Sequence, residues 1–351
     1  MIRRLVFGLV ILLLVIAAIA GRFFLSNTAF SEKSKFLYVR TGYATKEEVM
    51  KSIVEENLVS NPVSFGFLAR EMDVWEKIRP GRYQVNNGMS LLDVARMLRN
   101  SRQSPVNLVI TKIRTKEQLA SLIGKKFECD SMPVIKYINN LDTLKQYELD
   151  STTVMTAIFP NTYTYLWTTP PSGIFKKLFA EYKKVWTDER RQKADSLGLN
   201  PTTAYILASI IEEETNLDAE KGNIASVYLN RLQKNMNLGA DPTVKFALRD
   251  FALTRIYEKH LAFESPYNTY RNKGLPPGPI CTPSLKTLDA VLNSPRTNYL
   301  FFVANKDFSQ KHVFTETYSD HLKYAKEYQQ ALTRLQQQKQ HSVAEDTGNQ
   351  Q

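Results

Sequence analysis

Residues 206–216 read ILASIIEEETN, and the three carboxylates that close this apolar run are the first candidates for chemistry. A carboxyl group can protonate a leaving oxygen if its surroundings keep it protonated near neutral pH. On a helix, residues three, four and seven apart share a face. Leu207, Ile210, Ile211, Glu214 and Leu217 then form one stripe, and Ser209, Glu212 and Glu213 form a second, more polar one. Glu214 alone has apolar neighbours on its own face, a setting that disfavours the ionised form and raises the pKa. The alternative for Glu214 is a buried carboxylate paired with a distant Arg or Lys. Glu212 and Glu213 are expected to face water, as charges near a helix end usually do.

Ordinary glycoside hydrolysis takes two carboxylates, one protonating the leaving oxygen and the other acting as nucleophile or base. Helical spacing makes neither Glu212 nor Glu213 an obvious second group in the same cleft. One acid suffices where the substrate supplies the nucleophile, as a muramic sugar does when its own 6-hydroxyl closes on the anomeric carbon. Other chemistries lack support. Cys129 and Cys281 carry no nucleophile signature, and they are either one disulfide or two separately buried thiols. His260, His312, His321 and His341 show no metal-ligand spacing, and there is no GxSxG, P-loop or GxGxxG motif. Metal, nucleotide and serine chemistry thus lose their usual support, and a single-acid reaction of the kind above needs no metal or organic cofactor.

The elements that must position Glu214 belong to a chain of 351 residues, long enough for two or three domains. It opens MIRRLVFGLVILLLVIAAIAGRFFL, with no charge from Leu5 to Gly21. That run of about 17 residues is at the lower limit for a membrane-spanning helix. Residues 1–25 are expected to form an anchor, with a signal peptide cleaved near Ala18–Ala20 as the alternative. In either case Arg3 and Arg4 keep the short N-terminal end inside and direct the rest out of the cytoplasm. The net charge of +11 then points to anionic envelope polymers or lipid head groups, and nucleic acid is not an expected partner.

Three helix starts follow, at Thr45 with Glu48, Ser90 with Asp93, and Thr115 with Gln118. The first and third have the spacing of capping boxes and the second is a looser version. Each is preceded by a β-prone run: KFLYVR, GRYQV and VNLVI, respectively. Beyond residue 150, FPNTYTYLW reads as an aromatic loop and residues 172–197 as one long amphipathic helix. GADPTVKFAL starts a helix with Asp241 as N-cap, SPYNTYRNKGLPPGPICTPSL is a long loop, and YLFFVA and HVFTET are strands. Asn161, Asp241, Tyr267, Asn268 and Tyr270 offer ring faces, amides and a carboxylate suited to sugar hydroxyl or N-acetyl groups. The competing roles are helix capping for Asp241 and loop anchoring for the tyrosines.

Several of these segments, in order, carry a resemblance: GRYQVNNGMSLLDVARMLRN, FPNTYTY, ASIIEEET, IASVYLNRL, DPTV, SPYNTYRNKGLPPGPICTPS and YLFFVA. The chain resembles the MltG/YceG family of endolytic murein transglycosylases, and the resemblance covers nearly everything after the anchor. It implies an α+β protein with an N-terminal transmembrane helix (1–25), a LysM-like subdomain of strand–helix modules (26–105) and a connecting α+β module (106–150). A mostly helical catalytic domain with a few strands (151–335) and a disordered tail (336–351) complete the expected order.

The family's catalytic glutamate stands directly before the threonine of its motif, which is Glu214 here. Glu213 occupies a place where relatives can carry a basic residue, and this extra anion is expected to raise Glu214 further. The implied reaction cleaves the β-1,4 bond between N-acetylmuramic acid and N-acetylglucosamine in nascent glycan and leaves 1,6-anhydromuramoyl ends. Peptidoglycan strands are the implied substrate and membrane peptidoglycan synthases the implied partners. A noncatalytic wall-binding scaffold remains an alternative, as does a muramidase using Asp241 or Glu212 as second carboxylate.

Overall fold

The computed structural model describes residues 7–15, 21 and 27–348, with backbone alone for 339–348. Most of the expected anchor, 1–25, lies outside the described residues. Residues 7–15 are helical with exposed apolar side chains, and no helix among the described residues is long and apolar enough to cross a membrane. The chain is α+β, with many short helices and three two-stranded sheets among the described residues. It divides into two interleaved units.

The first unit comprises Met1–Leu108, Ala120–Val134 and Thr162–Ile174. Its β1 (Ser34–Val39) and β2 (Gly81–Asn86) pair antiparallel, with Leu37 opposite Tyr83 and Lys35 opposite Val85. Between them run α1 (Lys46–Glu55), α2 (Pro62–Glu71) and α3 (Val74–Lys77), and α4 (Leu91–Arg99) follows. Leu37, Val39, Tyr83 and Val85 point into one core with Ile53, Phe65, Leu91 and Leu98. The helix starts read from sequence are real caps. Thr45 and Ser90 accept from the backbone N–H three residues on, whereas Thr115 and Gln118 exchange both bonds of a capping box.

Next come β3 (Val106–Ile110), α5 (Lys116–Gly124), α6 (Ser131–Asn139) and α7 (Leu141–Lys145). The segment read as an aromatic loop is instead β4 (Asn161–Tyr165), which joins β3 in a sheet. Its Tyr163 and Tyr165 are buried while Asn161, Thr162 and Thr164 are exposed, a period-two alternation.

The second unit comprises Val109–Leu119, Ile135–Asn161 and Phe175–Gln351. The expected long helix is broken into α8 (Pro171–Val185) and α9 (Asp188–Ser196), because Thr187 turns out of helix and caps α9 by accepting from Arg190 N. Then follow α10 (Pro201–Glu214), α11 (Asp218–Gln233), α12 (Asp241–Leu248), α13 (Glu258–Leu261) and α14 (Leu285–Leu292). β5 (Phe301–Ala304) pairs antiparallel with β6 (His312–Thr315), and α15 (Tyr318–Gly348) follows. Most of the tail expected to be disordered, 336–351, is thus helical through Gly348, since its Gln, Lys, Ala and Glu residues are good helix formers. Cys129 and Cys281 are both free thiols.

The axis of this unit is α10. Asn200 and Thr203 form its capping box, Pro201 occupies the first turn, and every residue from Ala204 to Ile211 is buried. Tyr228, Leu238, Ile280 and Leu288 close around it.

Candidate active site

Thr215 ends α10 by turning extended, with φ −145° and ψ 144°. Its Oγ1 accepts from Leu217 N at 3.1 Å, and α11 begins one residue later. Across this three-residue turn, Tyr228 of α11 meets the last residue of α10. Tyr228 Oη donates to Glu214 Oε1 at 2.6 Å.

The three glutamates meet three different fates. Glu212 is anchored to the start of α14, where its Oε2 accepts from Ser284 Oγ at 3.1 Å and from the Thr287 hydroxyl. The buried Lys221 ammonium lies 3.5 Å from the same oxygen and 2.9 Å from Asp218. Glu213 is clamped by Arg114 at 2.9 Å and Lys112 at 3.4 Å, and Lys112 also donates to the Glu212 carbonyl. The expectation that both face water is therefore corrected: their side chains are 15% and 16% exposed. Apart from Lys221, the residues that cover them come from chain segments about 70 and 100 positions away.

Glu214 has no ion pair among the described residues. Burial is the main influence on its carboxyl and pushes it up to about 7. The hydrogen bond from Tyr228 opposes that rise, the charge of Asp241 adds to it, and Lys245 and Arg231 oppose it. Glu213, expected to add to the rise, is not among its main causes, and its own charge is paired with Arg114 and Lys112. At neutral pH the Glu214 carboxyl is thus near half protonation, the condition under which one group can both give and take a proton.

Asp241 does not cap its helix. Ala240 is the N-cap residue, and Asp241, in the first turn, accepts instead from Tyr270 Oη at 2.6 Å. The loop carrying Tyr270 is bolted down by residues that serve the backbone. Asn268 is fully buried, donates to the Leu261 and Phe263 carbonyls at 2.9 and 2.7 Å, and accepts from Tyr270 N. Thr269 Oγ1 accepts from Ala240 N at 3.0 Å. Asn268 consequently shapes the site and presents no free amide to a ligand.

Tyr267 is half-buried, its ring 4.7 Å from Phe246. Its hydroxyl lies where a Cβ on Gly278 would come within 2.9 Å, and that Cβ would also meet the Thr152 carbonyl. Glycine is required there by close approach. Asn161 is exposed on β4 and donates to Glu181 of α8 at 3.3 Å, so its amide is engaged with that helix.

Of the sequence candidates, Glu214, Asp241 and Tyr270 share one electrostatic group. Sequence reasoning missed Tyr228, Arg231 and Lys245. The first two are three positions apart on α11 and so share a face, a spacing that could have drawn notice. Arg231 is held by the Leu300 and Leu238 carbonyls at 2.7 and 2.6 Å, over the Phe301 ring. A polar cavity of about 670 Å³ is lined by another set of α11 residues, Ser226, Asn230 and Gln233, and shares no residue with the Glu214 group.

A carboxyl pushed up to about 7, hydrogen-bonded by a phenol and within electrostatic reach of a second carboxylate and two cations, is a candidate for the proton transfers that a lyase or hydrolase performs. The sequence model of the YceG-like family matches residues 37–327, and the chain belongs to that family. It is similar to the endolytic murein transglycosylase of Bacillus subtilis (strain 168), 29% identical over 267 residues that span 71% of this chain and 72% of the relative. The endolytic murein transglycosylase of Streptococcus pneumoniae serotype 2 (strain D39) is 24% identical over 294 residues, 74% of this chain and 52% of the relative, so this chain spans about half of that protein. The 2.6 Å crystal structure of a yceG-like protein from Listeria monocytogenes matches with a TM-score of 0.55 and 26% identity, covering 84% of this chain and 99% of that one.

Proposed function

We propose that the chain is a peptidoglycan lytic transglycosylase in which Glu214 is the catalytic acid and base. The observation that carries this reading is the Glu214 carboxyl, pushed up to about 7 at the end of a buried helix in a member of the YceG-like family. Protonated Glu214 gives its proton to the glycosidic oxygen between N-acetylmuramic acid and N-acetylglucosamine, and the C1–O4 bond breaks. The resulting carboxylate takes the proton of the muramic 6-hydroxyl as that oxygen bonds to C1. The glycan gains a 1,6-anhydro end, no water is consumed, and Glu214 recovers its proton. Tyr270 and Asp241 are sugar-facing candidates beside it, with Tyr267 and Asn161 as further candidate contacts. Lys245 and Arg231 lower the cost of the carboxylate state.

The finer reading is that the enzyme acts on nascent strands beside peptidoglycan synthases and terminates their elongation. The β1–β2 module is LysM-like and binds glycan. The charge-free run from Leu5 to Gly21 anchors the chain in the cytoplasmic membrane with the catalytic unit outside. A second reading, a two-carboxylate muramidase, is favoured by one observation, the Asp241 carboxylate held by Tyr270 within electrostatic reach of Glu214.

Mass spectrometry of products from uncrosslinked glycan, wild type beside Glu214→Gln, separates these readings. Anhydromuramoyl ends from the wild type alone are expected. Reducing ends would establish the muramidase, and glycan binding without cleavage by the full-length membrane-embedded protein would establish a scaffold.

A further inference from the structure

The two oxygens of the Glu214 carboxyl are not equivalent. Tyr228 Oη lies 2.6 Å from Oε1, while the Tyr228 side chain is 1% exposed and its ring stands nearly perpendicular to Phe302 at 5.9 Å. A ring packed in this way has little freedom to swing its hydroxyl elsewhere. Burial, reinforced by the neighbouring Glu214, raises the phenol well above its ordinary value, so it keeps its proton at every working pH. Such a group is a standing donor. Within a carboxylic acid the carbonyl oxygen accepts better than the hydroxyl oxygen, so a donor on Oε1 leaves the acid proton on Oε2.

We infer that Tyr228 is a positioning residue that assigns proton delivery and uptake to Oε2 of Glu214 and stabilises the carboxylate formed when the proton leaves. The inference rests on the reading of Glu214 as the acid. As the glycosidic oxygen takes the proton, negative charge develops on the carboxyl and the Tyr228 bond becomes charge-assisted, hence stronger in the transition state than before it. The phenol therefore acts on the chemical step and leaves substrate affinity alone. Tyr270, which donates to Asp241, cannot substitute, because its hydroxyl is committed to another carboxylate.

The test is Tyr228→Phe in the full-length protein, which keeps the ring on Phe302 and removes only the hydroxyl. Two readouts are paired: kinetics on uncrosslinked glycan across pH, and the Glu214 carboxyl titration by ¹³C NMR, assigned by its loss in Glu214→Gln. Losing one hydrogen bond to a developing charge should lower kcat about 10- to 100-fold with KM unchanged. The alkaline limb and the NMR midpoint should both move to higher pH. Difluorotyrosine at position 228, a stronger donor of the same shape, should move the midpoint the other way, and it decides the matter if the phenylalanine variant does not fold. A variant with wild-type kcat and an unmoved midpoint would overturn the assignment. If the wild type forms no anhydro ends, the functional reading fails and the NMR midpoints alone judge Tyr228.

Discussion

Glu214→Gln should make the protein more stable, and by an amount that grows with pH. The carboxyl has an ordinary value of 4.5 and is pushed up to about 7 in the fold, chiefly by burial. Because the folded value lies above the unfolded one, the stability of the neutral carboxyl is fully present below about 4.5 and is lost as pH rises through about 7. At about 1.4 kcal/mol per pH unit over that interval the full loss is ~3 kcal/mol. The side chain is only half-buried, and water screening trims this to roughly 2 kcal/mol. Glutamine has the same shape, no proton to lose, and a carbonyl oxygen that can still accept from Tyr228. Urea unfolding of both proteins at pH 4.5 and 8 reads the difference, in which all other titrating groups cancel. The variant's advantage should widen by ~2 kcal/mol between the two pH values. An advantage that stays constant with pH would refute the assigned shift and with it the basis for general acid catalysis.

Two further perturbations probe the neighbours. Asp241→Asn removes an anion that raises Glu214, so the alkaline limb of kcat/KM should move to lower pH, and an upward or absent shift would contradict the assigned coupling. Lys221→Met leaves the Glu212 carboxylate without its cation at a site where the lysine side chain is 5% exposed. Breaking such a pair should cost about 3 kcal/mol in denaturant titration, and a loss below ~1 kcal/mol would show that Ser284 and Thr287 hold Glu212 unaided.

What the sequence revealed of this site was what one helix can encode. The apolar stripe through Leu207, Ile210 and Ile211 isolates Glu214 because helical periodicity is local, and the caps at Thr45, Ser90 and Thr115 are equally short-range. Local pattern failed where the partner lay elsewhere in the chain. Glu212 and Glu213 look like solvated charges until Thr287 and Arg114 are folded onto them from 75 and 99 residues away. Asp241 has the spacing of an N-cap, but Tyr270, 29 residues on, claims its carboxylate. Asn268 has the chemistry of a sugar ligand, yet its amide is consumed by loop carbonyls that no periodicity reveals. The break at Thr187 was legible in principle, since threonine is a good N-cap, but the amphipathic pattern on both sides concealed it.

The placement of three carboxylates at the C-terminal end of α10 also runs against helix electrostatics, since that end carries partial negative charge and favours cations. The fold answers this twice and stops. Lys112 reaches both the Glu212 carbonyl and the Glu213 carboxylate, Arg114 completes that clamp, and Lys221 meets Glu212. Glu214, last in the row, receives a phenol in place of a cation, while Arg231 is tied to backbone carbonyls and acts only through space. A salt bridge at Glu214 would stabilise the helix end but would hold the carboxylate ionised and useless as an acid. A phenol leaves the proton in place and still stabilises the charge once the proton has gone. In the mechanism proposed above, the glutamate without an ion pair is a stability cost accepted at the position that must hold a proton, while cations pair with its two neighbours.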